Sequence, residues 1–152
     1  MALIMNNLFE SSSKSAEEME IPKTVLEYLA SKKVTILNDY KTPSGQHSEH
    51  CGLIANALAK LLIEAGKEPY IMLVTEDVHK NGFVYTKDLE PLIYNGNVSW
   101  GSHLVCCCEN VAFDPMIGNP VNIDQYTQIV FGELIHMGIA VSKDKLKELL
   151  NK

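Results

Sequence analysis

The chain has 152 residues, of which 46% are hydrophobic and 21% are charged, and its 13 basic and 19 acidic residues give a net charge of −6. A chain of this length buries about 70% of its unfolded surface, so we expect one domain whose core needs no disulfide or structural metal. The acidic balance disfavours contact with a phosphate backbone. Nucleic acid is therefore not an expected partner.

The sequence also lacks a recognisable targeting signal. Residues 1–9 have no basic flank and no long apolar run, unlike a cleaved signal peptide. No segment approaches the roughly 18 consecutive apolar residues of a membrane span. Three of the four cysteines are consecutive, at 106–108, which does not fit a disulfide framework and predicts reduced thiols. We expect a protein that is cytoplasmic, or secreted without a cleaved signal peptide, and that has no membrane partner.

The N-terminal part of the chain is polar. Residues 10–20 contain too few apolar side chains to offset the entropy lost on ordering, so residues 1–20 are predicted to form a mobile arm. A single domain over 21–152 is expected to follow. Pro22 suits a first helical position. A helix over 22–32 is predicted from apolar residues at helical spacing: Val25, Leu26 and Leu29.

The strongest helical pattern in the chain covers residues 49–65. Ser48 is a typical N-cap before it, and Gly66 is a typical C-terminal stop. We expect this helix to be the central buried one, because it carries one wide apolar face: Leu53, Ile54, Ala57, Leu58, Leu61, Leu62 and Ala65.

From Tyr70 onward the pattern is typical of β-structure. Two-residue turns are predicted at 81–82, 95–96 and 109–110, and strands over 70–74, 83–86, 98–108 and 111–114. A short segment around 126–131 follows, and a helix over 143–150 closes the chain. Within this region, residues 76–97 fit either sheet hairpins or a flap over a cleft, because glycine permits both. Helices followed by an antiparallel sheet predict an α+β domain.

Cys51 is the first candidate for chemistry. With Ser48 as the cap, Cys51 is the third residue of the helix, where free backbone N–H groups and the helix dipole stabilise a thiolate. This position lowers the pKa of a thiol and makes Cys51 a candidate nucleophile. The alternative interpretation is a small buried apolar residue at a helix start.

The hairpin around 109–110 brings His103 and Asp114 together. With a two-residue turn, the numbers of paired residues sum to 219, so residue 105 faces residue 114. His103 and residue 105 share one face of their strand, which puts Asp114 diagonally opposite His103 on that face. A carboxylate near an imidazole can select its tautomer and hold the ring as a general base. The alternatives are a structural strand histidine and an Asp-Pro strand terminator.

Taken together, a cysteine at a helix start, a strand histidine and an aspartate on the next strand are typical of thiol-nucleophile sites. In this chain order, and with Phe113-Asp114-Pro115 after the histidine strand, residues 46–121 resemble the papain-like superfamily in its transglutaminase-like arrangement. The resemblance implies a central helix that carries the nucleophile at its start and packs on an antiparallel β-sheet. It also implies Cys51 as nucleophile, His103 as base and Asp114 as the orienting acid.

Two further residues are expected near the cleft. The papain branch has a glutamine shortly before the nucleophile, and this resemblance implies that Gln46 donates a hydrogen bond to the oxyanion. Trp100 precedes the strand that carries His103. It is predicted either to line the substrate-binding cleft or to belong to the core. The alternative for Gln46 is a residue of a polar loop.

A metal site is the competing interpretation of residues 47–51, with the cysteines at 106–108 as further ligands. Zinc sites space their cysteines by two to four residues, whereas neighbouring strand cysteines point to opposite faces. We therefore expect no metal and no other cofactor, and interpret the three cysteines as apolar strand residues.

The expected function is thiol-dependent hydrolysis of an amide through an acyl-thioester, with a protein or peptide as substrate. A glutamine deamidase or a small cysteine peptidase fits so short a chain best, and an exported effector or toxin is one setting for it. Acyl transfer would use the same three residues if an amine replaced water. The alternative from another class is a binding module without catalysis on the same fold.

Overall fold

The computed structural model describes residues 19–40, 48–74, 93–94, 97–98, 103–131 and 137–151. Their helices are α1 (Lys23–Tyr40), α2 (Ser48–Glu64), α3 (Ile123–Phe131) and α4 (Lys143–Leu150). Their strands are β1 (Pro69–Val74), β2 (Ile93–Tyr94), β3 (Asn97–Val98), β4 (His103–Cys108), β5 (Val111–Phe113), β6 (Val121–Asn122) and β7 (Met137–Val141).

Five of the strands form one sheet in the order β6-β5-β4-β1-β7, and all neighbours in it are antiparallel. Helix α2 packs on β4 and β1, α1 packs on α2, and α4 packs on β1. The architecture is therefore α+β, as the sequence predicts.

Helix α2 is the helix expected over 49–65, displaced by one residue at each end. The helix begins at Ser48, the residue expected to cap it. At the other end Gly66 has a φ of 83°, and the N–H groups of Gly66 and Lys67 donate to Ile63 O and Leu62 O, each at 2.9 Å. This Schellman motif satisfies the last carbonyls of the helix and confirms Gly66 as its stop.

The buried face of α2 is rotated relative to the predicted one. Leu53 is 69% exposed, whereas Ala55 and Ala59 are buried. At the helical spacing of 100° per residue, Leu53 lies opposite the face that is buried, so the contact face is centred on residues 55, 58 and 62 and includes two alanines. The core on this face consists of Ile54, Ala55, Leu58, Ala59 and Leu62.

Helix α1 is longer than predicted and extends to Tyr40 instead of residue 32. Beyond Leu29, the buried Ile36 continues the same apolar stripe, and this burial outweighs the weak helix propensity of the β-branched residues in that stretch. Residues 1–18 of the predicted arm lie outside the described residues. Met19 is buried in the core, and its carbonyl accepts a 2.8 Å hydrogen bond from Lys67 Nζ.

The strand predicted over 98–108 is wrong as one element. Among the described strands, β3 pairs with β2 in a separate two-stranded sheet, and β4 starts at His103. Ile93 pairs with Val98 and Tyr94 with Asn97, on either side of the turn predicted at 95–96. The turn at 81–82 and the strand over 83–86 lie outside the described residues.

The C-terminal third contains two strands that the sequence pattern does not predict. β6 and β7 are the two edges of the sheet. Both residues of β6 are half-buried and the three central residues of β7 are exposed, so neither strand carries the alternation of a half-buried strand. The segment around 126–131 is part of helix α3, and α4 has the predicted bounds. Among the described residues, no helix is long and apolar enough to cross a membrane.

Candidate active site

Cys51 lies in the first turn of α2, where the helix meets the beginning of β4. Cys51 is 6% exposed, and the backbone N–H of Leu104 donates a hydrogen bond to its Sγ at 3.5 Å. A Cβ added at Gly52 would lie 3.4 Å from Leu104 Cδ1. The start of α2 is therefore in contact with β4. This contact puts the Cys51 thiol next to His103, the residue before Leu104.

His103 and Asp114 form a buried pair with 2.7 Å between His103 Nε2 and Asp114 Oδ2, and each residue is 1% exposed. The predicted hairpin register is confirmed: Cys106 pairs with Phe113, and Cys108 pairs with Val111. Asp114 is the residue directly after β5, and the strand twist brings it diagonally to His103. The Cys51 thiol lies close enough to the His103 ring for each group to shift the pKa of the other, and all three side chains line one narrow cavity.

The Asp114 carboxylate is held by two further donors. The backbone N–H of Met116 donates to Oδ1 at 2.9 Å, and the hydroxyl of Tyr126 donates to Oδ2. Tyr126 belongs to α3 and is fully buried. The sequence interpretation missed this residue. A helical assignment of its segment would put Tyr126, Thr127 and Val130 on one buried face, but nothing local indicates that the hydroxyl reaches Asp114.

The charges of the three residues depend on one another. Burial raises the pKa of the Cys51 thiol, but the hydrogen bond and charge of His103, together with the Leu104 N–H, outweigh it and hold the pKa below its ordinary value. Burial lowers the pKa of His103, but Asp114 and Cys51 raise it to about 9. Burial raises the pKa of Asp114, but His103, Tyr126 and the Met116 N–H lower it overall. The arrangement favours a thiolate, an imidazolium and a carboxylate in series.

The three consecutive cysteines have the opposite chemistry. All four cysteines of the chain are free, and Cys106, Cys107 and Cys108 are buried in the core of the sheet. Burial raises the pKa of each thiol, and the charge of Asp114 adds to the effect at Cys107. Among the cysteines, therefore, only Cys51 has an environment that stabilises a thiolate.

No family model, curated protein or solved structure matches this chain. The candidate site therefore rests on its own geometry. Gln46 and Trp100, the residues predicted to bind the oxyanion and to wall the cleft, lie outside the described residues.

Two cavities help to delimit the site. A narrow one lies at Cys51, His103 and Asp114, with apolar walls that include Ile54 and Phe113. A larger one, of about 530 Å³, lies at the other end of the sheet, between Gly66, Cys108 and Lys147. The larger cavity contains no nucleophile with a base beside it, so we place the candidate chemistry at the narrow one. Within the described part of the chain, no group of three or more His, Cys, Asp and Glu residues could hold a metal.

Proposed function

We propose that this protein is a thiol-dependent amide hydrolase in which Cys51 is the nucleophile, His103 the acid-base residue and Asp114 the residue that orients His103. The observation that carries the proposal is the buried group of Cys51, His103 and Asp114, which line one narrow cavity and in which His103 Nε2 lies 2.7 Å from Asp114 Oδ2. A structural histidine would need one partner. This one has a carboxylate on one ring nitrogen and a thiol of lowered pKa beside the ring.

We also propose that the α+β fold is of the papain-like type. A nucleophile in the first turn of a helix, packed against an antiparallel sheet that carries the base on one strand and the acid after the next, is the papain-like arrangement in its transglutaminase-like form. The order of the three residues along the chain, helix first and hairpin second, supports this assignment.

The proposed reaction has two steps. The Cys51 thiolate attacks the amide carbonyl carbon, the C=O electron pair moves to oxygen, and the His103 imidazolium protonates the nitrogen as the C–N bond breaks. Ammonia or an amine leaves, and a thioester remains on Cys51. Water then attacks the thioester while His103 takes its proton, and the C–S bond breaks to release a carboxylic acid. A glutamine side chain of a protein, or a small peptide bond, is the substrate class we propose.

The thiol can be tested without knowledge of the substrate. The rate of Cys51 alkylation by iodoacetamide, located by mass spectrometry, is measured from pH 8 to pH 6. An ordinary thiol of pKa about 8.5 loses about a hundredfold in rate over this range, because its thiolate fraction falls. We expect the wild-type rate to fall by clearly less than this, because the pKa of Cys51 is lowered, and His103→Gln to restore the ordinary decline. An ordinary decline in the wild-type protein would refute the proposal.

The reaction itself is tested with an N-blocked Gln-Gly dipeptide and with casein, by measuring ammonia release with and without a primary amine. The expected result is ammonia release that is lost in Cys51→Ala and does not incorporate the amine. Incorporation would instead assign acyl transfer to the same residues. Alkylation kinetics of an ordinary thiol, combined with no turnover, would leave the fold as a binding module.

A further inference from the structure

Tyr126 contributes the remaining side-chain donor to the Asp114 carboxylate, and its position is unusual. Its hydroxyl donates to Oδ2, the same oxygen that receives His103 Nε2. Two donors therefore share one oxygen atom, and both are buried. An oxygen that accepts a second hydrogen bond carries less free negative charge, so it attracts the proton of the first donor less strongly.

The Asp114 carboxylate is also held by the turn in which Asp114 lies. The Met116 N–H holds Oδ1, and the Ile117 N–H donates to the Asp114 carbonyl at 3.1 Å, so the turn after β5 fixes the carboxylate locally. This Asx-type turn is made by adjacent residues and is independent of α3. What Tyr126 adds is a hydrogen bond to the oxygen that holds His103.

We propose that Tyr126 is a positioning residue that sets the proton affinity of His103 by donating to Asp114 Oδ2, and through His103 sets the pH at which Cys51 becomes a thiolate. The link to Cys51 rests on the function proposed above, whereas the effect on His103 does not. The hydrogen bond from Tyr126 lowers the pKa of Asp114, in agreement with this role.

The other ionisable groups around the pair are few among the described residues. Cys51 faces His103 from α2, and Cys107 of β4 faces Asp114. Lys33 of α1 lies beside Gly118, at the far end of the turn that follows Asp114. Each of these groups is unchanged by a substitution of Tyr126 that removes only the hydroxyl.

The test uses Tyr126→Phe in a Cys51→Ala background, so that the thiol does not contribute. The pKa of His103 is measured by NMR from its ring C–H signals, assigned by their absence in His103→Gln. We expect the pKa of His103 to rise by about half a unit, because Oδ2 loses its competing donor. The matched control is Tyr70→Phe, which removes a hydroxyl bonded to Glu109 O at the other end of the sheet and should leave His103 unchanged.

An unchanged pKa of His103 in folded Tyr126→Phe would overturn the proposal, because it would show that Tyr126 has only a structural role. A lowered pKa of His103 would also overturn it, because it would show that Tyr126 orients the carboxylate toward His103. Should Tyr126→Phe fail to fold, 3-fluorotyrosine placed at position 126 supplies a stronger donor and should lower the pKa of His103. With Cys51 present, the alkylation profile of Tyr126→Phe should move to lower pH. An ordinary wild-type thiol profile, combined with the expected NMR shift, would refute the proposed function and the link to Cys51, and would leave the effect of Tyr126 on His103 intact.

Discussion

The buried pair His103 and Asp114 makes the stability of the fold depend on pH in a defined direction. Burial lowers the pKa of His103, but the adjacent Asp114 carboxylate and Cys51 raise it to about 9, above its unfolded value of about 6.5. A group whose pKa is raised by folding contributes stability that is complete below its unfolded pKa. That contribution is lost as the pH rises through the folded pKa.

The size of the effect follows from proton binding. Between pH 6.5 and pH 8 the folded protein keeps a proton on His103 that the unfolded chain progressively releases. One such proton changes the free energy of unfolding by about 1.4 kcal/mol per pH unit. Integration from pH 6.5 to pH 8 gives a loss of about 1.5 kcal/mol in the free energy of unfolding. The thiol would contribute with the opposite sign, because folding lowers its pKa. The measurement is therefore made in Cys51→Ala, which keeps the Asp114 carboxylate, the strongest influence that raises the pKa.

The assay is urea unfolding of Cys51→Ala at pH 6.5 and at pH 8, followed by circular dichroism. The matched control is the double variant Cys51→Ala with His103→Gln, in which the amide can still donate to Asp114 but cannot titrate. We expect the free energy of unfolding to fall by about 1.5 kcal/mol more in the first protein than in the second. Equal changes in the two proteins would show that folding does not raise the pKa of His103 and would refute the reasoning.

Two further predictions concern α2. Leu58→Ala should lower the free energy of unfolding by about 2–5 kcal/mol, because it leaves a cavity at a side chain with no exposure, whereas Leu53→Ala, at a residue 69% exposed, should change it little. Urea unfolding distinguishes the two, and equal losses would contradict the observed rotation of the apolar face. Gly66→Ala should cost about 1 kcal/mol, because an L residue is strained at φ 83°. Gly138→Ala, with open space around its Cα, is the control, and a loss there as large as at Gly66 would contradict this reason.

The hairpin that carries the base and the acid could be predicted from the sequence, because its register depends only on a two-residue turn. Given a turn at 109–110, alternation along the strands puts His103 and Asp114 on one face, and the 2.7 Å contact follows from that register. The contact of Cys51 with His103 was a weaker expectation. It depends on α2 packing across β4, which no local pattern specifies.

The lowered pKa of the Cys51 thiol has a cause that its position in the helix does not supply. The sequence interpretation relies on the helix start and its dipole, and the structure adds the hydrogen bond and charge of His103 and the N–H of Leu104. The sequence could place Cys51 in the first turn but could not supply the burial that strengthens its partner.

By itself, the sequence determined the central helix to within one residue at each end, with its stop at Gly66, the hairpin register, and the division of the cysteines into one and three, since each depends on residues close together in the chain. Only the tertiary structure decided that α1 extends to Tyr40, that β4 lies between β5 and β1, and that Tyr126 reaches Asp114. These features come from packing between distant segments. There, burial overrides local propensity, and a hydroxyl on one helix completes the hydrogen bonds of a carboxylate on the sheet.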